Sequence, residues 1–203
     1  MANVVISDLA ESTAPASTDL LEMEVSSVSK KVTLGNAIKT GIGLGSDADG
    51  DMYYRASSVL ARLAKGAANL KLFMNAGATA PEWAAGIYMG SFTRDVATAS
   101  GTQDVASVGF KPSFVVFLSN IDSTPTMSIG IDNGTFHFCI FNYHTVTTEA
   151  FANTTSGSLY AVISSGNNCL GSITTLGADG FTVTWAKTGS PTGSFVTGFI
   201  AFR

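Results

Sequence analysis

The chain has 203 residues, a net charge of −4 and only 13% charged side chains. Its largest basic cluster is Lys30-Lys31, so it lacks the positive stripe that neutralises phosphates, and nucleic acid is excluded as a partner. No apolar run approaches the about 18 residues of a membrane span, and MANVVISDLAES at the start has neither the basic flank nor the long apolar stretch of a secretion signal.

Charge and aromatic residues divide the chain. Residues 1–85 hold 16 of the 26 charged side chains, whereas 12 of the 13 Phe lie from Phe92 onward. Soluble domains usually carry charge on about a quarter of their surface. A C-terminal part this poor in charge must be polar through Ser, Thr and Asn, or be covered by other copies of the chain.

In chain order, Ser7-Asp8-Leu9 resembles a helix start, because either polar side chain accepts a first-turn N–H. LLEMEVSSVSKKVTL reads as a hairpin: Leu21, Met23 and Val25 alternate with Glu22 and Glu24, a Ser-rich turn follows, and Val32 and Leu34 alternate on the return. A short helical turn fits LGNAIK, before Gly41, Gly43 and Gly45 break regularity. MYYRASSVLARL predicts two strands about a turn at Ser57-Ser58. NLKLFMNAGATAPEW predicts a strand through Leu72 and Met74, a tight Asn-Ala-Gly turn and an extended approach through Pro81 to Trp83. Such hairpins are marginal alone and need partners.

From Gly86 the pattern becomes nine short strands: IYMGSFTR, ASVGF, FVVFLSN, MSIGID, GTFHFCIFNYH, SLYAVIS, CLGSITTLG, GFTVTWAK and VTGFIAFR. Regular spacing with turns between predicts an antiparallel β-sandwich or jelly roll. Asn133-Gly134 and Asp179-Gly180 suit type I′ turns. Phe181, Val183 and Trp185 should face the core, opposite Thr182 and Thr184. The very apolar stretch 195–202 should be a central strand.

Few residues could carry chemistry. Asp47, Asp49 and Asp51 alternate as calcium-loop ligands do, but the Gly falls early and Ser58 stands where a twelfth-position Glu is needed, so a solvated turn is the competing reading. His137 and Cys139 lie two apart on one strand face, with His144 nearby. Their spacing matches no zinc signature, and the flanking Phe residues point to packing instead. Asp132 and Glu149 are the candidate glycosidase pair. There is no nucleophile elbow, H-E-x-x-H or phosphate loop, so neither enzymatic activity nor a cofactor or metal is expected. Without a secretion signal, Cys139 and Cys169 are expected to be reduced and buried.

Residues 6–38 and 49–83, with Tyr54-Arg55, Leu60-Ala61-Arg62-Leu63 and Ala80-Pro81-Glu82-Trp83 as the most specific elements, resemble modules of tailed-bacteriophage tail-fibre and appendage proteins. VGFKPSFVVFLSN and ADGFTVTWAKTGSPTGSFVTGFIAFR are similar to a β-sandwich at the ends of small virion proteins. The resemblance implies a non-enzymatic, homotrimeric virion protein that is all-β. Residues 1–40 would anchor it to other virion proteins through Leu21, Met23, Val25, Val32 and Leu34. Residues 41–85 would form a trimeric collar packed by Tyr54, Leu60, Leu63, Leu72 and Trp83. Residues 86–203 would form a head that meets a host-surface glycan through Asn142, Tyr143 and His144. The alternative is a capsid-decoration or fibre-adaptor protein with no host contact, for which one sandwich face should be apolar and covered in the particle.

Overall fold

The computed structural model describes residues 20–25, 28–33, 48–122, 124–144 and 149–203. Every regular element among them is a β-strand, and the chain divides into two compact units, residues 1–68 with 72–83 and residues 69–71 with 84–203. The helical turns expected near residues 7–9 and 34–39, and Leu34 itself, lie outside the described residues.

In the first unit, β1 (Leu20–Val25) and β2 (Val28–Thr33) pair antiparallel, as their alternation predicts, with Leu21 opposite Val32 and Met23 opposite Lys30. β3 (Met52–Ala56) and β4 (Val59–Leu63) turn at Ser57, where φ is 56°. β5 (Lys71–Met74) pairs with β6 (Pro81–Ala84) across a turn organised by Asn75, whose Oδ1 accepts the Thr79 N–H at 2.9 Å. Trp83 Nε1 donates to the Ala64 carbonyl at 2.8 Å, and its ring rests on Gly66, where a Cβ would lie 2.6 Å from ring carbons. No residue from 48 to 84 is fully buried. These hairpins enclose no core of their own.

The second unit holds ten strands: β7 (Ile87–Asp95), β8 (Gly101–Ala106), β9 (Phe114–Ile121), β10 (Thr124–Asp132), β11 (His137–His144), β12 (Glu149–Thr154), β13 (Leu159–Ser164), β14 (Asn167–Gly177), β15 (Gly180–Thr188) and β16 (Ser194–Phe202). They form a six-stranded sheet in the order β12-β11-β10-β9-β16-β7 and a four-stranded sheet in the order β13-β14-β15-β8. The two antiparallel sheets face each other across one aromatic core. Phe181 of β15 meets Phe117 and Phe199 edge-on at 5.8 and 5.1 Å, and Trp185 meets Phe195 at 6.1 Å. Such aromatic pairs add directional attraction to the area they bury. Arg94 lies over Trp185 at 5.6 Å and donates to the Ala99 carbonyl.

Phe181, Val183 and Trp185 are buried as expected, and β16 pairs on both sides. Three expectations fail. Residues 107–110 of ASVGF are not a strand: Ser107 and Gly109 have φ of 67° and 84°, and Asp179 holds this loop through the Ser107 and Gly109 N–H groups. Val108 and Phe110 still reach the core from that loop. Neither turn is type I′, because φ is positive at Gly134 and Gly180 but not at Asn133 or Asp179. β12 was not anticipated, since its place comes from pairing with β11 rather than from apolar alternation.

One close approach fixes the two sheets. A Cβ on Gly130 would lie 1.7 Å from the Ser158 carbonyl oxygen. Gly130→Ala is therefore expected to destabilise the unit by at least about 2 kcal/mol, the scale of overpacking a filled core. Gly198→Ala, whose nearest contact would be 3.8 Å, should shift a urea midpoint far less. Equal midpoints for the two variants would contradict this account.

Candidate functional site

Asp132 ends β10 and is 1% exposed. Ser158 Oγ donates to its Oδ2 at 2.6 Å, the Ile173 N–H to the same oxygen at 2.8 Å and the Gly134 N–H to Oδ1 at 2.8 Å. His137 Nδ1 stands 2.9 Å from Oδ2. The Ile173 N–H is available because β14 shifts register between Ile173 and Thr175, and a bulge leaves a ladder group without its strand partner. The carboxylate thus ties the six-stranded sheet to β14 and to the entrance of β13.

Its proposed pairing with Glu149 does not occur. Asp132 lies opposite His137 and Glu149 opposite His144, at the two ends of β11. Seven residues of strand span about 23 Å, whereas glycosidase carboxyls stand about 5 to 9.5 Å apart.

The other polar candidates are also engaged with the backbone. Asn142 accepts the Met127 N–H and donates to the Pro125 carbonyl at 2.9 Å, spanning the register shift between Thr124 and Met127. Tyr143 is half-buried beside Phe141, and the His144 side chain lies outside the described residues. Asp51 accepts the Ala48 and Lys65 N–H groups at 2.8 Å and Arg62 Nη1 at 3.3 Å. Those backbone N–H groups, with Arg62, hold its carboxyl below the usual carboxylate range. Asp49 is exposed, and Asp47 lies outside the described residues.

Cys139 is fully buried and His137 is partly exposed on the same strand. Burial pushes the Cys139 thiol up to about 11 and raises Cys169 as well, and neither is bridged. Among the described residues no three His, Cys, Asp or Glu side chains gather as a metal site would require.

The largest unassigned feature is the outer side of the six-stranded sheet. Met89, Ile200, Val116, Ile131 and Phe138 stand side by side across β7, β16, β9, β10 and β11. Leu118, Ile129 and Ile140 form the next row, and on the opposite side of the first row Phe114 stacks on Phe202 at 4.4 Å. Met89 is 73% exposed, Leu118 51% and Ile140 48%. Among the described side chains, Asp95 at the end of β7 is the only charged one at an outward position on this sheet.

The outer side of the four-stranded sheet is the opposite in character. Thr174 and Thr184 hydroxyls lie 2.9 Å apart, and Thr182 donates to Asp104 at 2.6 Å. Sequence reasoning missed the apolar face, although a signal was present. FVVFLSN carries apolar residues at both alternating parities, the pattern of a strand covered on both sides, and MSIGID sets Met127, Ile129 and Ile131 against Ser128, Gly130 and Asp132.

Of the collar candidates, Leu60 and Leu72 are exposed, and Tyr54, Leu63 and Trp83 are half-buried. The anchor candidates Leu21, Met23, Val25 and Val32 lie in the β1–β2 hairpin.

Replacing Asp132 by Ala leaves its buried donors without an acceptor, and is expected to cost about 3 to 5 kcal/mol in a denaturant titration. A loss under about 1 kcal/mol would contradict the bridging role. Both thiols should stay inert to a maleimide at neutral pH until the chain unfolds, since the thiolate is the reactive form. Rapid labelling of the native protein would contradict their burial.

Comparison of the chain with protein-family models, curated proteins and solved structures finds no match.

Proposed function

We propose that the chain is a non-enzymatic structural subunit of a tailed-bacteriophage virion. It acts as a short homotrimeric appendage, with residues 1–40 as anchor and residues 41–85 as a trimeric collar. The resemblance of residues 6–38 and 49–83 to appendage modules supports the virion assignment. The single structural observation that supports an assembly role is the apolar outer face of the six-stranded sheet. Monomeric proteins seldom leave so large an apolar patch in water.

That face favours the decoration or adaptor role, in which the head is clamped within the particle. Display of the head to a host glycan draws its support from the resemblance alone, since the Asn142 amide already serves Met127 and Pro125. The exposed Leu60 and Leu72 fit a collar closed by neighbouring chains.

Mass spectrometry of purified particles of the encoding virus should find the chain as a stoichiometric component. Its absence from particles would overturn the virion assignment. The isolated protein should show no saturable binding to host cells, and such binding would restore the host-attachment reading.

A further inference from the structure

We infer that the apolar outer face of the six-stranded sheet is the surface through which copies of this chain pack on one another. The inference rests on the assembly reading and names its partner.

Three observations select a second copy. The first is area. Ten large apolar side chains on this sheet are 39 to 75% exposed. At roughly 200 Å² for a fully exposed large side chain they present on the order of 1,000 Å². That exceeds the about 300 to 600 Å² of the largest patch on a typical monomer, and meets the about 800 Å² per partner of a stable interface.

The second is chemistry. Interfaces between identical subunits are more apolar than those between proteins that also live apart, and resemble a domain core cut in half. Rows such as Leu118, Ile129 and Ile140, with no charge among them, have that character. A face whose one described charge is Asp95, at the end of its edge strand, has little means of choosing a different partner by charge complementarity, whereas a second copy shares its apolar character.

The third is shape. Gly198 sits beside Leu118, and a Cβ there would meet nothing closer than 3.8 Å. A glycine next to a half-exposed leucine makes a hollow beside a projection, which an opposing copy can interlock. Sheets packed face to face in this way lie about 10 Å apart.

Light scattering on the full chain, beside Leu118→Lys and a control Thr102→Lys on the polar sheet, tests the inference. The expected result is one large oligomer for the parent and for Thr102→Lys, with a mass reduced to the collar-held trimer for Leu118→Lys while its circular dichroism is unchanged. A parent oligomer that Leu118→Lys leaves intact would overturn the inference and leave the virion reading standing, because assembly would then use another surface.

A monomeric parent would overturn it as well, and the homotrimer with it. If Leu118→Lys does not fold, Leu118→Cys treated with a short bifunctional maleimide decides the matter, the native thiols being buried. Cross-linked copies support the inference. A Leu118→Cys variant that yields no cross-linked copies, whether its new thiol is freely modified or is protected within a monomer by another segment, overturns it.

Discussion

A carboxylate sealed from water holds the second unit in register. Asp132 takes N–H groups from its own turn and from β14, and a hydroxyl from the residue that leads into β13. Gly130, two residues earlier, lets the Ser158 carbonyl approach where no side chain would fit. Together they fix which side of β10 faces inward. A slip of one residue would turn Met127, Ile129 and Ile131 into the core and expose the carboxylate, because side chains alternate with period two. The apolar outer face is therefore a consequence of a polar contact on the inner one.

The same economy recurs wherever the ladders break. Asn142 spans the β10 register shift, Asp179 holds the loop after β8, Asn75 organises the β5–β6 turn and Asp51 closes the open end of β3–β4. Each gives a partner to a backbone N–H that the sheet leaves unpaired. The polar side chains that invite a chemical role are thus occupied in holding the chain. What remains without an internal duty is the apolar outer surface of the six-stranded sheet.

Much of the all-β architecture was legible. Leu21, Met23 and Val25 alternate cleanly, Phe181, Val183 and Trp185 do the same, and the nearly continuous apolar stretch of β16 matches a strand paired on both edges. Local pattern misled where a distant residue decides the conformation. Val108 and Phe110 look like strand positions, yet their loop is set by Asp179, 70 residues from Gly109. β12 contains only one large apolar side chain, Phe151, which is 75% exposed, so no periodicity announces it.

Asp132 was equally hidden. In sequence it belongs to an Asp-Asn-Gly turn and suggests a solvated carboxylate, and only Ser158 and Ile173 reveal its burial. The outer face was written in the two-sided apolar strand β9 and in the alternation of Met127, Ile129 and Ile131 on β10, but apolar alternation does not say which side is covered by the same chain and which by another.

The measurement that tests this account most directly is oxidative footprinting of Met89 and Met127 in the full-length protein across a dilution series. Both project from the outer face, at 73% and 47% exposure within one chain. If copies pack through that face, both should be protected at high concentration and become oxidised together as the assembly dissociates. Oxidation that is rapid and independent of concentration would show the face open to water, and would contradict the central claim.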